Sequence, residues 1–295
     1  MKHLANRIIL GDNMRILPTM ADGAFAMIYI DPPFNTGKKQ TRRTLETEAD
    51  LMGDRVGFGG RRYASRLLAE SSYFDEFADY LAFLKPRLVE GRRVLAETGT
   101  LYFHIDYREA HYCKLLLDEI FGRENFLNEI IWAYDYGARS KKRWPAKHDT
   151  ILVYAKDAEQ YHFDAAEVDR EPYMAPGLVT PEKAALGKLP TDVWWHTIVP
   201  TNGREKTGYP TQKPEGIVRR MVLASTRLGD ICLDFFAGSG TLGAVAAKNG
   251  RGYVLIDERP EAVEIATRRL AAIEGPVTAA ETATNEPEAV GALFY

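Results

Sequence analysis

Asp230-Ile231-Cys232-Leu233-Asp234-Phe235-Phe236, running on into Ala237-Gly238-Ser239-Gly240-Thr241-Leu242-Gly243, is the stretch that decides the fold. Its first half is apolar and rich in strand formers, and a glycine turn follows at once. It therefore reads as a buried strand turning into a helix that runs to about Asn249. Gly238, Gly240 and Gly243 have the spacing that allows a tight turn and close backbone approach to a ligand. Gly252 to Asp257 is the next strand, ending in an acid placed to hold two ribose hydroxyls. Taken alone, this unit signals a nucleoside cofactor and nothing narrower.

Its position in the chain says more. After Asp257 come one amphipathic helix (Glu261 to Ile273) and an Ala/Thr/Glu-rich tail, 274–295, expected to be flexible. That is too little to build a doubly wound sheet, so the other strands must come from the N-terminal half. The strongest is Ala26-Met27-Ile28-Tyr29-Ile30, which ends on Asp31-Pro32-Pro33-Phe34-Asn35. The expected fold is α/β, a doubly wound, mostly parallel sheet in circularly permuted order. The Asp31 strand and the glycine-turn strand should be parallel neighbours whose carboxyl ends share one crevice. Arg7 to Leu10, followed by Gly11-Asp12-Asn13, is another strand stopping at an acidic turn. Its closeness in sequence to the Asp31 strand suggests that these two are also neighbours.

Asp31 and Pro32 both precede a proline, which disfavours the α region and leaves a short, stiff, extended segment. Neither Pro32 nor Pro33 has an N–H, so carbonyls here are available to a group outside the sheet, and Phe34 adds a flat apolar face. A carboxylate, carbonyl acceptors and an aromatic face suit a planar group bearing an exocyclic amine, such as adenine or cytosine. Accepting both amine protons on Asp31 and the Pro32 carbonyl favours a pyramidal nitrogen whose lone pair can attack. The same residues would equally serve a stiffened turn with Phe34 capping the core.

The chain has 295 residues, 45% hydrophobic, enough for one large α/β domain with an insertion or for two domains. A net charge of -3 and a pI near 6.1 argue against wholesale coating of nucleic acid, so such contacts must come from local basic patches. Two are visible. From Thr36 to about Ser72 no periodic pattern holds, and Lys38, Lys39, Arg42 and Arg43 precede a Gly-rich run; this reads as a basic loop lying over the site as a lid. Tyr136 to His148 carries Arg139, Lys141, Lys142, Arg143 and Lys147 with no acidic side chain and with aromatics between, which suits phosphate neutralisation beside stacking faces. Cys113 and Cys232 have no metal spacing and read as buried thiols of a reducing compartment; no metal site is expected. No stretch approaches a membrane span, and a cytoplasmic protein is the default.

Further elements follow from pattern: a helix from Phe74 to Glu97 with Pro86 as a kink or second start, a strand Thr100 to Asp106, a helix Glu109 to Ile120, and strands Asn128 to Tyr134 and Ile151 to Ala155. His104 lies inside a strand and reads as a satisfied core residue rather than a base. Between about Lys156 and Tyr209 no helical period is sustained, and Asp192-Val193-Trp194-Trp195-His196 is an apolar knot that reads as packing.

With Asp31 to Phe34 early, the glycine turn late and Thr211-Gln212-Lys213-Pro214 just before it, residues 5 to 272 resemble the β-class DNA amino-methyltransferases. The resemblance implies a Rossmann-like methyltransferase fold, S-adenosylmethionine as cofactor, and double-stranded DNA as substrate with its target base flipped. Asp31, Pro32, Pro33 and Phe34 match the motif that holds the base. Phe236, Gly238, Ser239 and Gly240, with Asp234 before them, match the cofactor motif. Asp257 matches the ribose acid, Asp12 the acid near the cofactor's adenine, and Thr211 and Lys213 a further cofactor-binding segment. Residues 1–135 and 210–273 would form the catalytic domain, and 136–209 the target-recognition insertion, with the strand near 151–155 assignable to either. Phe34 stands where a tyrosine is more usual, and the leading aspartate leans towards adenine N6 over cytosine N4. A homodimer and the cognate endonuclease of a restriction-modification system are the further partners this reading allows. The rivals are a cytosine-N4 enzyme and, more distantly, an NAD-dependent oxidoreductase.

Overall fold

The computed structural model describes residues 5–35, 38–49, 55–56, 62–75, 79–137, 139–274 and 279–281; at 38–75, 274 and 279–281 it gives the course of the backbone only. The chain divides into two compact units, Met1–Pro32 with Leu84–Tyr295, and Pro33–Phe83. In order the elements are β1 (Arg7–Leu10), α1 (Asn13–Ile16) with a tighter turn at Leu17–Thr19, β2 (Phe25–Ile30), β3 (Lys38–Ala49), β4 (Arg55–Val56), β5 (Arg62–Asp75), α2 (Tyr80–Val94), β6 (Leu95–Asp106), α3 (Ala110–Phe121), β7 (Phe126–Ala133) and β8 (His148–Ala155). They continue through α4 (Pro181–Leu186), β9 (Val193–Trp195), α5 (Glu215–Ser225), β10 (Ile231–Asp234), α6 (Thr241–Lys248), β11 (Gly252–Asp257), α7 (Pro260–Glu274) and β12 (Ala279–Glu281).

The larger unit is built on a nine-stranded sheet of order β12-β1-β11-β10-β2-β6-β8-β7-β9. Only β8 is antiparallel to its neighbours, β6 and β7; every other pairing is parallel. β2 is nearly all buried, as a strand covered on both faces must be. Met27 and Tyr29 join the core that also contains Ile217 and Met221 of α5, Leu242 and Val245 of α6, and Val263 and Leu270 of α7. The alternate residues face the other way: a Cβ added at Gly91 of α2 would lie 3.9 Å from Ile28 Cδ1, and Phe121 of α3 packs on Tyr154 with ring centroids 5.6 Å apart. Helices thus cover both faces. At the glycine-turn helix, a Cβ on Gly243 would stand 2.7 Å from Leu255 Cδ1, so glycine lets α6 lie directly on β11.

β2 pairs in parallel with β10, Met27 opposite Cys232 and Ile28 opposite Leu233, as the permuted order requires. β1 is not a neighbour of β2. It pairs with β11, Ile8 opposite Leu255, and both β11 and β10 intervene. The connection from Gly11 to Ala24 is easily long enough to cross three strand spacings of ~4.8 Å each, so closeness in sequence did not compel pairing.

Three other expectations change. The segment read as a structureless loop contains a three-stranded antiparallel sheet of order β3-β5-β4, Lys38 opposite Asp75 and Ala49 opposite Tyr63. Its Gly57 to Arg61 stretch lies outside the described residues. The helix expected from Phe74 begins at Tyr80, because Phe74 belongs to β5, and it contains Pro86; Phe77 lies outside the described residues. In the tail, Ala279–Glu281 adds a parallel strand beside β1, while 275–278 and 282–295 lie outside the described residues. The strand expected at Ile151–Ala155 is β8, inside the sheet between β6 and β7. Among the described residues no helix is long and apolar enough to cross a membrane.

Candidate active site

Parallel strands deliver their carboxyl ends to one edge, and four acids stand there: Asp12 just past β1, Asp31 just past β2, Asp234 ending β10 and Asp257 ending β11. Each is held differently, and the difference defines what each offers a ligand.

Asp31 Oδ2 accepts a hydrogen bond from Lys213 Nζ at 2.6 Å, and its Oδ1 is buried with no partner among the described residues. A buried carboxylate oxygen left unbonded is costly unless a donor arrives from outside the chain. Lys213 is held from its backbone, since Thr241 Oγ1 donates to its carbonyl at 3.2 Å. Thr211, two residues earlier, is exposed, and Gln212 instead ties the segment together by accepting from Thr207 N and Oγ1, both at 2.8 Å.

The glycine turn has Gly238 at φ 49° and Gly240 at φ 70°, in the left-handed region that other residues enter at a cost. A Cβ on Gly240 would stand 2.8 Å from Ala266 Cβ. Gly238 N donates to Asp257 Oδ2 at 2.8 Å and Arg259 N donates to its Oδ1 at 3.0 Å. Each oxygen keeps a second lone pair for a hydroxyl. Tyr209 lies over Gly238, where a Cβ would meet its ring at 3.1 Å, and Arg259 hydrogen-bonds the Tyr209 hydroxyl. Ser239 is buried and turned inward: its hydroxyl is 3.2 Å from that of Thr241, which also accepts from Arg269 Nη1 at 3.0 Å. The sequence pointed to the glycines but not to Tyr209, Thr241 or Arg269, which lack a local pattern.

Asp234 is fully buried. Burial, with the negative charges of Asp31 and Asp257, pushes its carboxyl well above the ordinary range, against the opposing Phe236 N–H and Lys213. Its Oδ1 accepts from Phe236 N at 2.9 Å. Asp12 caps α1, accepting from Met14 N at 2.9 Å, and lies 3.7 Å from Arg87. Next to it, buried Asn13 donates to Phe235 O at 2.8 Å, linking the ends of β1 and β10; this residue was not singled out from the sequence.

Behind the site, His104 is buried with both ring nitrogens engaged, 3.0 Å from Tyr29 Oη and 3.2 Å from Asp149 Oδ2. It is the satisfied core residue expected. Asp149 also accepts from Tyr134 Oη at 3.0 Å. Burial raises the Asp149 pKa, but the His104 hydrogen bond and the His104 and Lys213 charges outweigh it and hold the carboxyl low. Burial first, then the charges of Asp31, Asp234 and Asp149, push the Tyr29 hydroxyl well above its usual range.

Pro32 ends the larger unit, and Pro33 and Phe34 begin the smaller one, where Tyr80 Oη donates to Pro33 O at 2.6 Å. Lys38, Lys39, Arg42 and Arg43 lie on β3, for which the backbone alone is described. Arg139, Lys141, Lys142 and Arg143 are exposed on the loop joining β7 to β8. In the apolar knot, Trp194 is buried and Trp195 is 73% exposed, so the reading as packing holds for the first tryptophan only.

The model of a family described as DNA methylase, of the N6/N4 type, matches residues 25–268. The DNA adenine methyltransferase YhdJ of Escherichia coli K12 is 31% identical over 274 residues, covering 90% of this chain and 83% of its own length. The Type II methyltransferase M.HpaI of Haemophilus parainfluenzae is 29% identical over 266 residues, covering 90% and 74%. Among solved structures, the PvuII DNA methyltransferase (cytosine-N4-specific) superposes with a TM-score of 0.62 at 14% identity, covering 89% of this chain and 85% of its own. The M1.HpyAVI–SAM complex superposes at 0.56 and 18% identity, covering 90% and 98%. The glycine turn that by its spacing also admitted an NAD enzyme therefore sits in a chain that belongs to the N6/N4 DNA methylase family, a DNA amino-methyltransferase of the α/β methyltransferase fold.

Proposed function

We propose that the chain transfers a methyl group from S-adenosylmethionine to the exocyclic amine of a base flipped out of double-stranded DNA, adenine N6 in preference to cytosine N4. The observation that carries this is Asp31 Oδ1: a buried acceptor without a partner among the described residues, on the strand beside the glycine turn. Bound there, the cofactor supplies an electrophilic methyl on a cationic sulfur. The acceptor-rich edge fits a nucleoside with its diol: Asp257 has lone pairs to spare, and Gly238 and Gly240 keep side chains out of the turn. Asp257 would hold the ribose hydroxyls. Asp12, Thr211, Lys213, Asp234, Phe236 and Ser239 are proposed around the rest of the cofactor, Ser239 through its backbone because its hydroxyl is engaged inward.

Asp31 Oδ1 and the Pro32 carbonyl would accept the two amine protons and steer the nitrogen lone pair at the methyl. As the C–N bond forms the methyl–sulfur bond would break, sulfur keeping the electron pair, and the amine's departing proton would pass to Asp31 or to water. Phe34 follows three residues after Asp31 and is proposed as the stacking face. Residues 136–209 are proposed as the target-recognition region, and Lys38, Lys39, Arg42, Arg43, Arg139, Lys141, Lys142 and Arg143 as phosphate contacts. The adenine preference rests on the leading aspartate and on the resemblance to an adenine methyltransferase. A homodimer, a partner endonuclease and a cytoplasmic setting fit the same reading. The test is transfer of tritium from methyl-labelled S-adenosylmethionine into DNA, with nucleoside analysis of the product. N6-methyladenine is expected; N4-methylcytosine would reverse the base assignment, and no transfer to any DNA would remove the reading.

A further inference from the structure

Trp144 is 95% exposed, among the most exposed large apolar side chains of the chain, and Arg139, Lys141, Lys142 and Arg143 around it are exposed as well. None of these four cations forms an ion pair among the described residues, and no acidic residue lies between Tyr136 and His148 to neutralise them. Scattered exposed hydrophobics are ordinary. A tryptophan held almost wholly in water inside an unneutralised basic run is a different case, because it combines a stacking face with affinity for a polyanion.

The fold sets where this loop points. β8 is antiparallel to β6, with Asp106 opposite Asp149, and β7 is antiparallel to β8, with Ala133 opposite His148. The loop between them therefore leaves the sheet at the same edge as Asp31. Its base lies two to three strand spacings from β2, about 10–14 Å, comparable to a major groove about 12 Å wide. The base is pinned, since Tyr134 N donates to Lys147 O at 2.9 Å. Within the loop, Ser140 Oγ accepts from Lys142 N and Arg143 N, both at 3.2 Å, folding a tight turn just before Trp144.

We propose that Trp144 enters the DNA base stack at the position vacated by the flipped base, while the flanking cations hold the phosphates on either side. This rests on the base-flipping reading above. Extruding a base leaves a gap whose neighbours have lost stacking, and an inserted apolar side chain offsets part of that loss.

The test first maps the methylated sequence in plasmid DNA treated with the enzyme. It then uses synthetic duplexes of that sequence in two forms, the target base normally paired or facing an abasic site. Trp144→Ala should lower kcat/KM on the paired duplex by roughly 5- to 100-fold, the range of one base–aromatic stack. The loss should be much smaller on the abasic duplex, where unpairing is already done, and Trp144→Phe should restore most of the rate on the paired form. An exposed aromatic control outside the site and the recognition region, Tyr112→Ala on α3, should leave both substrates unaffected. Equal losses on the two duplexes, or no loss, would overturn the assignment of Trp144. A wild-type enzyme that leaves the fluorescence of 2-aminopurine at the target position unchanged would instead overturn base flipping itself, and the wedge with it.

Discussion

Lys213 Nζ stands 2.6 Å from Asp31 Oδ2 although 182 residues separate the two in sequence, and their side chains are only 10% and 16% exposed. The ammonium engages one carboxylate oxygen and leaves the other as an acceptor. Removing either member of such a buried pair leaves the other charge uncompensated, which costs about 3–5 kcal/mol. Lys213→Met should therefore lower the free energy of unfolding by that order. Urea titration of the two proteins checks this; a midpoint unchanged from wild type would mean that the pair is solvated.

Asp31→Ala is expected to slow methyl transfer by ~10²–10⁴-fold, the range for a hydrogen-bonding or general acid–base group. In the proposed reading the side chain meets the amine rather than the donor, so affinity for S-adenosylhomocysteine should stay close to wild type. Single-turnover rates and calorimetry give the two halves of that comparison, and a variant with near-normal turnover would remove Asp31 from the chemistry.

Gly240→Ala places a methyl 2.8 Å from Ala266 Cβ at a backbone with φ 70°. A strained backbone position costs roughly 1–3 kcal/mol, and relief by shifting the turn would misplace the donor at Gly238 N. A lower melting temperature and weaker S-adenosylhomocysteine binding are expected together. Loss of binding with an unchanged melting curve would mean that the turn absorbs the methyl without strain.

Asp234 has its folded-state pKa raised, chiefly by burial, so the folded protein binds a proton that the unfolded chain gives up above about pH 4. Stability from this group is present below that pH and declines as pH rises through the window towards the raised value. Asp234→Asn keeps an acceptor for Phe236 N–H but has no proton to lose. Its stability relative to wild type should increase with pH above about pH 4. A pH-independent difference in unfolding free energy would show that Asp234 is charged in the fold.

Neutralising Arg139, Lys141, Lys142 and Arg143 together should weaken DNA binding and flatten its dependence on salt, each phosphate contact contributing roughly 0.9 to the logarithmic slope on duplex DNA. Binding measured across a salt series would show this. An unchanged slope would place the four on a solvated face.

Local grammar was enough to read the strand, glycine turn, helix, strand and acid from Ile231 to Asp257, because each depends on residues a few positions apart. The late position of that unit also led correctly to its parallel pairing with the Asp31 strand, since a doubly wound sheet needs more strands than the C-terminal part supplies. His104 was legible for a similar reason: a polar residue within a buried strand must find partners inside, and it found Tyr29 and Asp149.

The rest was decided by what the folded chain brings together. Lys38 to Ala49 carries charged and hydroxyl residues with Leu45 as its one large apolar side chain, so no period of two announced β3; backbone pairing with β5 made it a strand. The separation of β1 from β2 by two intervening strands was set by which buried surfaces matched, not by the short connection between them. Lys213 reads from its motif as a cofactor residue, and only the crossing of its segment over the sheet edge sets it on Asp31. Sequence alone thus determined the chemical groups and the pairing of the Asp31 strand with the glycine-turn strand. The tertiary structure decided which oxygen of Asp31 is engaged and which is left to accept, because a hydrogen bond depends on distance and direction, and these exist only once residues far apart in the chain are packed together.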